Sequence, residues 1–254
     1  MLAICQVRFL ALTRLYSVYR MVSMPAQLLQ LEASPDLVDR VYRTLGDAIC
    51  DGSLAPGQRI TQEEIAQQLA VSRQPVLQAL RLLKRDGFVQ DAPGRGVLVT
   101  PLDSQWVRHV YQVRGALDAL AARLAAARRY RLEPTVLEQG RAAVEGEDVK
   151  AMIEADLAFH AALYEAAGNP LIGQSAQLHW RHLRRVMGAV LQQVRQREAV
   201  WDEHEAIAQA IASGDGDTAA RLIEEHSQHA GENLAARLDQ VLQSAAPQDP
   251  RRQP

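Results

Sequence analysis

Three stretches of this 254-residue chain place acids or imidazoles where apolar side chains belong. Between 148 and 167, Ile153, Asp156, His160, Leu163 and Ala167 recur at spacings of 3, 4, 3 and 4, which is one face of a helix. Between 199 and 213, helical spacing links Val200, His204, Ile207 and Ile211; between 216 and 242 it links Leu222, His226, Ala230 and Asn233. Such faces are expected to be buried. Burying an unpaired charge costs on the order of several kcal/mol, so these groups need partners. A shared divalent ion held by one Asp and three His supplies one solution, and Asp-x3-His presents two ligands one helical turn apart. A hydrogen-bonded polar core supplies another. Spacing alone leaves both open. His109, His179, His182 and His229 lack the pattern and read as surface groups or as supports behind the cluster. His229, one turn past His226, is the best placed of these.

The elements that must position these groups are helices. From 102 to 242 the chain is rich in Ala and Leu, with no strand signal. Six helices are predicted, over 103–130, 134–146, 148–167, 170–197, 199–213 and 216–242. Asp103 or Ser104 starts the first, Gly168 stops the third, Asn169-Pro170 caps the fourth, and Ser213-Gly214-Asp215 divides the last two. The buried stripe of the first is read as Val110, Val113, Leu117 and Leu124, with Arg114 at its edge. An arginine so placed commonly snorkels, its stem on apolar surface and its head in water.

Upstream lies a different kind of site. Residues 65–83 read as two short helices at a steep angle. Ile65 and Leu69 form the buried edge of the first, Ala70 and Val71 the turn, and Ser72 the N-cap of the second. Val76, Leu80 and Leu83 face inward. This is a helix-turn-helix whose second helix suits a major groove. A helix precedes it, opened by Ser34-Pro35, carrying Leu37/Val38, Val41, Leu45 and Ala48/Ile49, and ended by Gly52, Pro56 and Gly57. After it, Phe88-Val89 and Val97-Leu98-Val99 form a small hairpin whose tip, Asp91 to Gly96, carries Arg95 between two glycines.

Several of these motifs, in this order, resemble a known family. Val71-Ser72-Arg73-x-Pro75-Val76-x-x-Ala79-Leu80-Arg81, the turn Leu54 to Ile60, Asp86-Gly87-Phe88-Val89 and Gly94-Arg95-Gly96-Val97 are similar to the winged helix of GntR-type transcriptional regulators. The match spans about residues 34–101. It implies double-stranded DNA as partner, with Ser72, Arg73, Gln74, Gln78, Arg95 and Gly96 facing it. Two residues depart from the family. Leu77 stands where Arg is usual, and Gln78 where Glu is usual. Leu77 cannot read guanine by paired hydrogen bonds, so the operator sequence does not carry over.

The downstream helices resemble the FCD effector domain of the FadR subgroup. The residues that carry this are Asp156-Leu-Ala-Phe-His160, Gly168-Asn169-Pro170, Asp202-Glu-His204-Glu-Ala-Ile207, Ser213-Gly214-Asp215 and Glu225-His226. The resemblance implies a metal held by Asp156, His160, His204 and His226, and an effector cavity faced by Arg114 and, less directly, Asn233. It also implies a homodimer on palindromic DNA. Imidazole and carboxylate without thiolate suit zinc or nickel, or manganese or iron. A small organic acid is the expected effector.

The whole chain fits this reading. Formal net charge is −2, and residues 36–95 carry eight basic and eight acidic side chains, so DNA contact rests on local placement of Arg73, Arg81, Lys84, Arg85 and Arg95. Cys5 and Cys50 are too few for a disulfide framework or a thiolate zinc site, which points to a reducing cytoplasm. No apolar run approaches the ~20 residues of a membrane span. Residues 1–33 are expected to be a disordered extension, and 243–254 a disordered tail. The predicted architecture is mainly α: a winged helix-turn-helix over 34–101 and an all-α bundle of six or seven helices over 102–242. The rival readings are a metal-dependent hydrolase or lyase with an attached DNA-binding domain, and a regulator whose metal is purely structural.

Overall fold

A computed structural model describes residues 36–146, 148–190 and 198–245, so Ser34-Pro35, the segment 1–33, residues 191–197 and most of the tail lie outside the described residues. The described chain is mainly helical, with one small sheet.

Helix α1 (Asp36–Cys50) buries Val41, Leu45 and Ile49, while Leu37, at its start, is exposed. Strand β1 (Arg59–Ile60) leads into α2 (Gln62–Gln68). There Thr61 and Glu64 form a capping box: the Glu64 amide donates to Thr61 Oγ1 at 3.3 Å, and the Thr61 amide donates to the Glu64 carboxylate at 2.9 Å. The turn passes through Ala70 at φ +51° into α3 (Arg73–Arg85), whose Val76, Ala79, Leu80 and Leu83 are buried. Ser72 takes the N-cap position, but its hydroxyl makes no capping bond, contrary to expectation. The third helical residue is Pro75, so one of the two amides a capping hydroxyl normally meets is absent.

Strands β2 (Val89–Asp91) and β3 (Val97–Val99) form the expected hairpin, and β1 adds a third antiparallel strand, in the order β1-β3-β2 with Arg59 opposite Leu98 and Ile60 opposite Val97. Two residues are too short to show an alternating pattern, which is why β1 has no sequence signal. Gly96, at φ +93°, lies where a Cβ would run into the Ile60 carbonyl. We therefore expect Gly96→Ala to destabilise the wing by about 1–3 kcal/mol through backbone strain. A thermal melt with amide exchange on residues 89–99 measures it; a melt equal to wild type and unchanged exchange would contradict the packing.

The bundle begins with α4 (Ser104–Ala127), capped by Asp103, whose carboxylate accepts from the Gln105 amide at 2.8 Å. Its buried face is Val107, Val110, Tyr111, Arg114, Asp118, Ala121, Ala122 and Ala125. The predicted stripe was rotated: Val113 is 51 % exposed. Alanines on several sides of the helix blur its period. Helices α5 (Pro134–Glu145), α6 (Val149–Ala167) and α7 (Pro170–Val190) follow; Gly168 ends α6 at φ +64°, and Asn169 accepts from the Leu171 amide at 3.1 Å. Helices α8 (Glu198–Ser213) and α9 (Gly216–Ala245) complete the order, α9 running three residues past the predicted end. Arg108–Asp239, Asp118–Ser227 and Arg123–Asp217 contacts set α9 antiparallel along α4. Two apolar cores result, one within 41–99 and one within 107–238. No helix among the described residues is long and apolar enough to cross a membrane.

Candidate metal centre and nucleic-acid interface

The bundle brings Asp156 and His160 from α6, His204 from α8 and His226 from α9 together. One ligand atom of each lies within 4.8 Å of all the others. The three imidazoles are at most 3 % exposed, and Asp156 reaches in from the edge. His204 Nε2 sits 3.3 Å from His226 Nε2 and 3.7 Å from Asp156 Oδ1. His226 Nδ1 lies 2.7 Å from Glu203, which fixes the proton on Nδ1 and leaves a lone pair on Nε2. That hydrogen bond in turn holds the Glu203 carboxyl below its ordinary pKa. Burial, reinforced by Arg114, pulls His160 well below the usual histidine value; burial and then His226 do the same to His204. Neutral imidazoles are the form that binds metal.

Arg114 stands beside the cluster, 1 % exposed. It does not snorkel. Its Nε donates to Asp118 at 3.1 Å, its Nη2 to His160 Nε2 at 2.8 Å, and its plane lies 4.0 Å over Trp180 and 4.8 Å over Tyr111. Burial works against its charge, and the Asp118 carboxylate more than offsets this, so its pKa rises above the ordinary arginine value. Asp118, fully buried, also accepts from Tyr164 at 2.5 Å and from Ser227 at 3.2 Å.

A neutral imidazole has one lone pair. If His160 ligates an ion through either nitrogen, the other carries the proton and cannot accept from Arg114. His160 can therefore hold Arg114 or an ion, not both. The residues otherwise fit a divalent cation. His204 Nε2, His226 Nε2 and Asp156 Oδ1 turn toward one another, and the donor set of one carboxylate and three imidazoles suits Zn2+, Ni2+, Mn2+ or Fe2+.

The structure does not bring every expected residue here. Asn233 is exposed: two turns beyond His226, it lies roughly 10 Å further along the helix axis. His229 is also exposed, and Glu203, the neighbour of His204, supports His226 instead. His109 is exposed, and His182 packs on Phe88. Sequence reasoning missed Asp118, Glu203, Tyr164, Trp180 and Ser227. The i, i+4 spacing of Arg114 and Asp118 was a usable signal; the others depend on how helices pack.

On the winged helix, Ser72, Arg73, Gln74 and Gln78 are exposed along α3, Leu77 is half-buried, and Arg95 is exposed in the wing. Gly96 beside it is half-buried, its glycine explained by the β1 contact. Arg73 pairs with Glu63 at 2.5 Å, with both side chains at least two-thirds exposed. Lys84 pairs with Asp91 at 2.7 Å and Arg85 with Asp86 at 2.8 Å. The first two are surface pairs, worth about 0–1 kcal/mol, so they yield readily to phosphate; Asp86 is largely buried and also accepts from Tyr42.

Residues 37–99 match the family described as bacterial regulatory proteins, gntR family, and residues 109–229 match the FCD domain. The HTH-type transcriptional regulator YdfH of Escherichia coli O6:H1 is 30% identical over 210 residues, covering 81% of this chain and 92% of the relative. The chain belongs to the gntR family. The HTH-type transcriptional repressor RspR of Escherichia coli K12 is 29% identical over the same shares. A solved gntR regulator from Rhodococcus sp. RHA1 superposes with a TM-score of 0.65 at 24% identity, covering 78% of this chain and 97% of the other. Escherichia coli McbR/YncC gives 0.64 at 21%, with shares of 82% and 99%. These two likenesses concern the fold. This gntR protein is thus a DNA-binding transcriptional regulator with an FCD effector domain, built as a winged helix followed by a helical bundle. The relatives it matches carry the names of transcriptional regulators.

Proposed function

We propose that this regulator binds a divalent metal through Asp156, His160, His204 and His226, and that a small organic acid bound beside it controls operator affinity. The observation that carries the reading is the convergence of these four ligands against a buried Arg114. When bound, the metal supplies a Lewis-acidic centre with room for a carboxylate oxygen beside the four protein ligands. Arg114 supplies the second contact: Nη1 has no partner, and Nη2 is released whenever His160 acts as a ligand. Two parallel N–H donors match a carboxylate. Tyr164 and Trp180 close this side of the cluster and also line an open groove of about 740 Å³ between α6 and α7, which offers a route inward.

The protein acts as a homodimer on palindromic DNA in this reading. Val113 and Leu120, exposed on one side of α4, provide an apolar strip for a second copy. As in the sequence reading, the compartment is the cytoplasm. The metalloenzyme rival needs a general base, and two described carboxylates near the cluster are already engaged, Glu203 by His226 and Asp118 by Arg114. The test is a panel of small carboxylates added to zinc- or nickel-loaded protein. Ligand-induced rise in Tm without turnover supports sensing. Turnover supports the enzyme, and no ligand effect supports a structural metal.

Two predictions concern DNA. Arg73 is exposed on α3 while its neighbours Val76 and Leu80 are buried, so Arg73→Ala stays folded. It should lose about 1–3 kcal/mol of discrimination if Arg73 reads a base; unchanged operator binding in a gel-shift titration would remove it from the reading surface. Arg95→Ala should weaken binding to all sequences about equally and reduce the salt slope by roughly one unit. A loss confined to one base position would contradict a phosphate role.

A further inference from the structure

Helix α7 carries three consecutive residues that face two different places. Trp180 faces the cluster. Its ring lies 4.0 Å under the Arg114 guanidinium and 4.9 Å from the His160 ring, and its Nε1 donates to the Tyr164 hydroxyl at 3.3 Å. Arg181 and His182 face the winged helix. Arg181 donates to the Tyr42 hydroxyl on α1, which donates to Asp86 at 2.5 Å. The Arg181 guanidinium lies 4.8 Å over both the Tyr42 and Phe88 rings, in space that Gly46 leaves open. The His182 ring stacks on Phe88 at 4.1 Å and 4°, with Nε2 2.8 Å from the Asp86 carbonyl. One turn on, Arg185 donates to the Thr100 carbonyl, at the end of the wing.

We propose that Trp180, Arg181 and His182 are the coupling segment of this regulator. Trp180 follows the Arg114 guanidinium, and Arg181 and His182 pass its position to α1 and to the Asp86–Phe88 turn that closes the reading helix. The proposal rests on the metal reading of the cluster. The physical link is short. His160 cannot ligate an ion and still accept from Arg114, so loading the cluster changes the hold on the very group that Trp180 stacks against. Trp180 is covalently continuous with the two side chains that fix the winged helix. None of the three touches DNA or belongs to the ligand set; they are positioning residues. Displacing α7 by part of a turn's width repacks Arg181 between Tyr42 and Phe88, and packed contacts of this kind switch rather than deform.

The test uses the full chain, nickel chloride alone as ligand, and an operator fragment selected from random duplexes. In wild type, operator affinity should differ between nickel-loaded and EDTA-stripped protein by a factor in the range of about 5 to 150. Amide exchange over residues 36–50 should change with it. Tyr42→Phe keeps the ring and removes only the bridging hydroxyl; Arg181→Ala removes the cation. Both should bind nickel as wild type does, and both should bring the two operator affinities within about twofold of each other. Arg181→Lys, which can still donate to Tyr42, should restore part of the difference, as a merely structural loss would not. If wild type responds to nickel and the Tyr42→Phe and Arg181→Ala proteins respond equally, the coupling segment is overturned while the metal reading stands. If wild type binds nickel but its operator affinity does not respond, the coupling is overturned as well. If wild type binds no nickel, both fall together.

Discussion

His204→Ala is expected to lower stability through two separable effects. The first is packing. The His204 ring stacks on Phe159 at 3.8 Å and 13° and meets Trp201 edge-on at 4.8 Å, in a fully buried position. Truncating a buried side chain of this size costs about 2–5 kcal/mol whether or not metal is present. The second is linkage. A metal at a hundredfold excess over its Kd stabilises the native state by about 2.7 kcal/mol, and the variant should lose that increment. Urea unfolding of both proteins, with nickel and with EDTA, separates the two. With EDTA the variant should trail wild type by the packing cost alone; with nickel the gap should widen. An equal response of both proteins to nickel would contradict a role for His204 as ligand. The winged helix, with its own core of Val41, Leu45, Val76, Leu83 and Phe88, should stay folded in the variant.

Arg114→Ala should be comparably severe for a different reason. Asp118 is fully buried; besides Arg114 it meets the hydroxyls of Tyr164 and Ser227, and His160 Nδ1 at 3.4 Å. Burial together with Asp118 pushes the Tyr164 hydroxyl above the usual tyrosine range, so it stays a neutral donor, and a phenol carries no positive charge to offset the carboxylate. Removing one member of a buried ion pair leaves the other uncompensated and costs about 3–5 kcal/mol. Replacing both, as Arg114→Met with Asp118→Leu, should recover much of that loss while abolishing carboxylate binding. Chemical denaturation of the single and double variants measures this. A single variant within about 1 kcal/mol of wild type would show that Arg114 is not the partner of Asp118.

These expectations show which parts of the molecule were legible from residues. The helix-turn-helix was readable because Ile65, Val76, Leu80 and Leu83 keep a clean period between strong turn signals. The cluster was readable because Asp156, His160, His204 and His226 interrupt otherwise apolar faces, an expensive arrangement that demands an explanation. The α4 face was not readable, since Ala119, Ala121, Ala122, Ala125 and Ala126 are all buried and give the helix little contrast between sides. Ser72 looked like a capping residue because its type was right, but the amide lost to Pro75 is a property of the next turn. His229 and Asn233 share a helix with His226, and a shared helix says nothing about where neighbouring helices end. Glu203 reaches His226 from a different helix, so no spacing could have paired them. Strand β1 exists because Arg59 and Ile60 meet Leu98 and Val97, which is a tertiary event.

The central claim is that the four-residue cluster holds a metal, and elemental analysis of protein purified without chelator or added metal tests it most directly. The account predicts close to one equivalent of zinc, nickel, manganese or iron per chain, removed by EDTA with a fall in Tm and lost from the His204→Ala protein. Metal-free protein whose Tm is unchanged by EDTA and by added nickel would contradict it. His204 Nε2–H would then donate to His226 Nε2 across the 3.3 Å between them, within a hydrogen-bonded polar core.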